Sequence, residues 1–237
     1  GHTYFLGAVH DLIAAVGYSK LGFDLDHDLL PIAQVAHLPL AVVINAKELA
    51  APDFVALLKY LRKHRGVRFT SAGVGTPGHF AGEQFAVYAR TALEHVAAQS
   101  ASMALEDLLA GKADLMFEAL GVVAPYLRAG ALRALAVAST ERLSAYPQIP
   151  TLTEFGWLAD LPSYRYGLWA VGAAPAVINA RMAKALTQAL AQPSLRLALA
   201  HFGAEPSVPT DGDFKTNIRR EINHWFDAGG LSAGSAK

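Results

Sequence analysis

The chain has 237 residues, 53% of them hydrophobic and 17% charged, and 20 Lys and Arg balance 20 Asp and Glu. It therefore lacks both the low hydrophobicity and high net charge of a disordered chain and the basic excess of a nucleic-acid binder. Cysteine is absent, which excludes disulfides, thiol catalysis and a Cys-based zinc site, and the longest apolar run, Leu168 to Ile178, is broken by Gly172 and Pro175, short of the roughly 20 residues of a membrane-spanning helix.

The segment from Gly1 has no basic region, apolar run and cleavage site in series. The sequence is thus expected to start after a removed leader or inside a longer product. Tyr4-Phe5-Leu6 reads as a strand, and Pro31 to Ala36 and Leu40 to Ile44 read as two more, bounded by prolines. Pro52 is expected to open a helix. Phe54, Leu57, Leu58 and Leu61 recur there at i, i+3, i+4 and i+7, and Gly66 stops it. Val67 to Thr70 is the next strand, then a Gly-rich turn and a helix from about Pro77. Leu93 to Ala97 is strand-like, Ser102 is expected to cap a helix to Leu109, and Leu115 to Phe117 is a short strand. Val122 to Arg128 reads as helix and Leu132 to Ala138 as strand. This βαβα rhythm argues for a mostly parallel sheet with helices on both faces.

Residues 140–163 hold Pro147, Pro150, Gly156 and Pro162 and read as a long connection. Tyr164 to Val171 returns as a strand. Helices follow from Pro175 to about Ala191, from Pro193 to Phe202, and from about Asp211 to Phe226. Two α/β lobes are expected. Lobe 2, residues 43–167, is inserted into lobe 1, residues 1–42 and 168–228, and the tail 229–237 is expected to be disordered. Two crossover strands would join the lobes around a cleft able to enclose a ligand.

The strongest local feature is Thr70-Ser71-Ala72-Gly73-Val74-Gly75-Thr76-Pro77-Gly78-His79, between a strand and a helix. Its glycines let the backbone turn tightly. Free N–H groups at the helix start, with the hydroxyls of Ser71 and Thr76, make an anion site for a carboxylate or phosphate; the alternative is an ordinary strand-to-helix turn. Gly73, Gly75 and Gly78 have dinucleotide-fingerprint spacing, but Pro77 and a poorly placed Glu94 weigh against it, and no Walker-A Lys follows. No cofactor is expected. Ser71, His79 and Glu83 could suggest a hydrolase, although no G-x-S-x-G elbow is present. The nine His show no metal-ligand spacing. Gln99 and Ser100 form a second polar turn on the same sheet edge, and Glu118 ends the next strand there. Glu118 reads equally as a solvated strand-end acid. Gly7 to Asp11, with Ala8 and Val9 facing the ligand, would hold the matching position on lobe 1.

These residues resemble the substrate-binding proteins of tripartite tricarboxylate transporters, the Bug family of periplasmic receptors. The marks are Gly1, Thr3 and Gly7; Phe23-Asp24 and Asp28-Leu29-Leu30-Pro31-Ile32-Ala33; the Ser71 to Thr76 loop with His79; Asp107 to Asp114; Gly130 to Val137; Arg142; Pro147 to Glu154; Gly167-Leu168-Trp169; Pro175-Ala176; Phe202 to Pro206; and Glu221. The resemblance implies a two-lobed type II periplasmic-binding fold without catalysis. It implies a monomer that captures a small carboxylate or amide-bearing solute for a tripartite membrane permease, with no nucleic-acid partner. It also implies recognition through backbone amides and waters, here from Ser71, Gly73, Val74, Gly75, Thr76 and His79. A signalling receptor module needs the same clamp and is the alternative; an α/β hydrolase using Ser71 stands behind both.

Two departures stand out. The family's V-P-Y-K-G-like stretch is replaced by Val96-Ala97-Ala98-Gln99-Ser100. The resemblance also implies two opening strand-helix units, with a P-F-x-x-G-G-like loop, and the sequence is expected to begin after both, as a fragment or as a degenerate relative. The sheet of lobe 1 is accordingly expected to be short and to expose an edge.

Overall fold

The computed structural model describes residues 3–9, 27–157, 163–172, 174–207 and 214–219. The chain divides into two compact units, Leu38–Ser163 with Ala200–Gly203, and Gly1–His37 with Tyr164–Leu199 and Ala204–Lys237. Strand β2 (Leu29–Asn45) begins in the terminal unit and ends in the inserted one. The proline-bounded pattern suggests two strands here, whereas the backbone runs straight through Pro39. Proline lacks an N–H and is tolerated only where no ladder bond is needed. Pro39 meets that condition: Ala36 and His37 pair with β8 (Glu205–Pro206) in one sheet, and pairing with the other sheet starts at Leu40.

The inserted unit is built on β3 (Val67–Ser71), β4 (Leu93–Ala97), β5 (Leu115–Ala119), β6 (Leu132–Val137) and the second half of β2. Their order is β4-β3-β5-β2-β6. β3 is parallel to β4 and β5, while β2 runs antiparallel to β5 and β6. The sheet is thus mixed, because the strand that enters from the other unit arrives against the direction of the βα repeats.

Helices cover both faces. On one side lie α1 (Phe54–Lys63) and α2 (Pro77–Ala89), packed through Phe54, Phe69, Phe85 and Trp157; the Phe85 and Trp157 rings stack at 5.7 Å. On the other lie α3 (Ala101–Leu109) and α4 (Leu120–Arg128), whose Leu105, Leu108, Leu120 and Val123 meet Val43 and Met116. The helix starts differ by one or two residues from those expected. Asp53 rather than Pro52 begins α1, because its carboxylate accepts from Ala56 N–H at 2.7 Å. Ser100 rather than Ser102 caps α3, accepting from Met103 N–H at 3.2 Å. Among its described residues the long connection contains one 3-10 turn, Thr153–Phe155, held by reciprocal Thr151 and Glu154 bonds and by the Arg142–Glu154 ion pair.

In the terminal unit, β1 (Tyr4–Ala8) pairs antiparallel with β7 (Ser163–Val171), and the sheet order is β1-β7-β2-β8. Among the described residues β1 is its edge. Helices α5 (Ala176–Leu190) and α6 (Pro193–His201) follow, and residues 214–219 are helical. Trp169 is buried against Phe214, with ring centres 5.2 Å apart. The rest of the last expected helix, the tail 229–237 and residues 10–11 lie outside the described residues.

Candidate ligand site

Strands β3, β4 and β5 are parallel neighbours, so their C-terminal ends share one edge. Each is followed by a helix: α2 after β3, α3 after β4, α4 after β5. Helix N-termini carry unpaired N–H groups and the positive end of the helix dipole. Ser71, Gly73, Val74, Gly75, Thr76, His79, Gln99, Ser100 and Glu118 all lie at this edge, and strand register places Ser71 opposite Ala97. Ala8 and Val9 lie at the end of β1 in the other unit, buried to 4% and 0% exposure.

The 71–76 loop is fixed by its own hydrogen bonds. Ser71 Oγ donates to Gly73 O at 3.1 Å and accepts from Gly73 N–H at 3.2 Å. Thr76 Oγ1 donates to the same carbonyl at 2.7 Å and accepts from His79 N–H, capping α2. Gly73 and Gly75 take φ of +124° and +85°, a region open to glycine and costly for other residues. Gly78 serves a different need: a Cβ there would stand 2.9 Å from Phe117 O, so only glycine lets α2 approach β5 this closely.

These bonds decide which donors are left. Gly75 N–H is directed at His79 Nδ1, 3.4 Å away, and Thr76 N–H at Gly73 O. The N–H groups of Ala72, Val74 and Gly78 have no protein acceptor among the described residues. Val74 is 73% exposed, so the start of α2 opens to solvent. The other two helix starts are more occupied. Ser100 spends its hydroxyl on its own helix, and the beginning of α4 is covered by Phe202 and Gly203. Glu118 is not the solvated acid of one reading. It is 3% exposed and its Oε1 accepts from Ala119 N–H at 2.8 Å, at the positive end of α4. Gln99 is exposed beside this edge.

One residue of the site is not among those expected. His95 Nε2 lies 2.7 Å from Ser71 Oγ. Its ring stacks on Phe69 at 4.6 Å and lies 4.4 Å from the ring of His79. Burial, then the neighbouring His79, pushes the His95 pKa down to about 4, and burial lowers that of His79 against the opposing pull of Glu83. Both rings are neutral at pH 7, which suits His79 Nδ1 as an acceptor for Gly75 N–H. The signal available in the sequence was parity: His95 and Ala97, two residues apart on β4, share a face as Phe69 and Ser71 do on β3. The Ser71–His95 contact resembles part of a hydrolase, but Ser71 is 2% exposed and bound to both polar groups of Gly73.

Parallel strands that deliver helix N-termini to one edge, in a unit inserted into another α/β unit, fit the periplasmic-binding class of fold, in which ligands bind outside the carboxyl ends of the strands. The chain belongs to the tripartite tricarboxylate transporter family receptors, whose family model matches residues 1–227. A Pseudomonas sp. (strain P51) protein from the tcbD-tcbE intergenic region is 30% identical over 230 residues, covering 95% of this chain and 67% of the relative. A solved periplasmic transporter structure superposes with a TM-score of 0.79 at 27% identity, over 99% of this chain and 78% of that one. The MatC protein of Rhodopseudomonas palustris, solved with bound malate, superposes with a TM-score of 0.76 at 25% identity, over 96% of this chain and 79% of that one.

Proposed function

We propose that this chain is a periplasmic receptor that captures a small carboxylate-bearing solute for a tripartite-type membrane permease. The observation that carries the reading is the open start of α2, where the Ala72, Val74 and Gly78 N–H groups stand without acceptors beside a capped, internally bonded loop. A carboxylate there would accept from backbone donors and sit at the positive end of a 13-residue helix. Ser71, Gly73, Thr76 and His79 shape the loop, Val74 and Gly75 form its rim, and Gln99 and Ser100 flank it. Glu118 stands buried near the end of β5 at the same edge. Ala8 and Val9 are proposed ligand residues of the terminal unit. The malate in MatC supports the ligand class, and the family supports the permease partner and the compartment.

A thermal-shift screen of the chain against malate and related small dicarboxylates tests the reading. A ligand at 100 times its dissociation constant adds about 2.7 kcal/mol to stability. At about 2–4 °C per kcal/mol for units of this size, the midpoint should rise by about 5–10 °C. A flat response to every mono-, di- and tricarboxylate would refute it.

A further inference from the structure

The opposite end of α2 carries a second feature that the ligand site does not use. A groove of about 450 Å³ lies between the C-terminal parts of α1 and α2, lined by Leu58, Arg62, Tyr88, Ala89 and Arg90. Helix α2 has 13 residues, so at about 1.5 Å per residue the groove stands roughly 20 Å from the 71–76 loop. Its floor is apolar. Ala89 is buried, Leu58 is half-buried, and the Tyr88 ring is stacked on Trp157 at 4.7 Å with its hydroxyl donating to Phe155 O at 2.8 Å. Its rim is two exposed guanidinium groups.

Neither Arg62 nor Arg90 has an ion-pair partner among the described residues, whereas Arg68 and Arg142 are paired with Asp114 and Glu154. Lys59, Lys63 and Arg65 extend the same positive stretch along and beyond α1, and all are exposed. A cation near a helix C-terminus ordinarily complements the dipole, and that accounts for the charge of Arg62 in the last turn of α1 and of Arg90 at the end of α2. It does not account for the backbone of Arg90. This residue closes α2 in the left-handed conformation, φ 52° and ψ 47°, and is the non-glycine residue with positive φ among the described residues. Helix ends of this shape ordinarily take glycine. A long cationic side chain held there at a conformational cost, across an apolar floor from a second unpaired cation, is a strained residue kept for what its side chain does.

We infer that the Arg62–Arg90 groove is a docking site for an acidic, partly apolar peptide segment of a partner protein. Two guanidinium groups match carboxylates in pairs, and the Leu58, Ala89 and Tyr88 floor takes an apolar side chain between them. A lipid headgroup would use the charges and leave the concave floor empty, which favours a peptide. The partner engages the inserted unit at the edge remote from the ligand loop, so capture of solute and docking do not compete for the same groups.

The test is fluorescence anisotropy of the chain with a labelled peptide of alternating Glu-Glu-Leu triplets, in low salt, beside the same peptide with Lys for Glu. Phosphatidylglycerol vesicles form the second arm. The acidic peptide should bind and the basic one should not. Arg62→Glu should weaken binding at least tenfold, and Lys59→Glu, outside the groove, should change it less than threefold. Arg90→Gly should weaken binding several-fold while raising the melting midpoint by a few degrees, since glycine relieves the left-handed strain. No peptide binding, equal loss from Lys59→Glu and Arg62→Glu, full binding by Arg90→Gly, or capture by vesicles without capture of peptide would each overturn the inference.

Discussion

Replacing His95 with Gln should flatten the pH dependence of stability between pH 4 and 6.5. In the folded chain burial and the nearby His79 lower the His95 pKa from 6.5 to about 4. The unfolded chain takes up a proton at about pH 6.5 and the folded chain does not. The unfolded state therefore binds more protons in this window, and stability falls as pH falls. At about 1.4 kcal/mol per pH unit the ceiling is about 3 kcal/mol. The ring is half-buried and solvent relaxes part of the penalty, which leaves about 1–2 kcal/mol. That corresponds to about 2–8 °C in melting midpoint between pH 7 and pH 4. Melts of the native chain and of His95→Gln at half-unit pH steps measure the difference. The His95 ring proton shift, followed by NMR, gives the titration directly and should show a midpoint near pH 4. A midpoint at or above 6.5, or identical pH slopes for the two chains, would refute the buried neutral pair.

Gly78→Ala should destabilise the chain by about 1–3 kcal/mol, the range for overpacking, because the new methyl would meet Phe117 O at 2.9 Å. Its sign is diagnostic in urea unfolding, since Gly→Ala inside an unconstrained helix stabilises instead. Glu154→Gln should remove a separate acid limb. Hydrogen bonds from Arg142 and from Thr151 N–H hold the Glu154 pKa at about 2, below its ordinary 4.5. Its contribution is therefore present above pH 4.5 and lost as pH falls toward 2. Melts over that interval should show the native chain dropping and the variant flatter.

Much of the inserted unit was legible because its signals are local. Pro77 after Thr76 marks a helix start whatever the chain does elsewhere, and the structure caps α2 there. The strands at 67–71, 93–97 and 132–137 fall within a residue of the apolar runs. What misled were signals whose meaning depends on neighbours. Ser100 and Ser102 are equally good caps in isolation, and the end of β4 at Ala97 selects the first. Pro31 and Pro39 read as strand boundaries, yet Pro39 sits where β2 has left one set of partners and not yet joined the next. The direction of β2 against β5 is a property of the path between units and has no local signature.

The backbone of the proposed ligand edge was legible to the same depth. Glycines and hydroxyls between a strand and a helix specify a backbone that offers N–H groups, and positive φ at Gly73 and Gly75 fulfils that. Which N–H groups remain available was not legible, because it depends on acceptors brought in by other elements. His79 reaches back one helical turn to Gly75, and His95 reaches across from β4 to Ser71. His79 must be neutral for this: a protonated Nδ1 would face Gly75 N–H donor to donor, whereas His95 donates from Nε2 to Ser71 Oγ, whose own proton goes to Gly73 O. No Lys or Arg occurs from Ser71 to His79 or from Ala97 to Ala101, and the buried acid Glu118 is satisfied by Ala119 N–H. On the proposed reading the edge would hold an anion through oriented dipoles, and the burial that keeps His79 uncharged is part of how the Gly75 N–H is aimed.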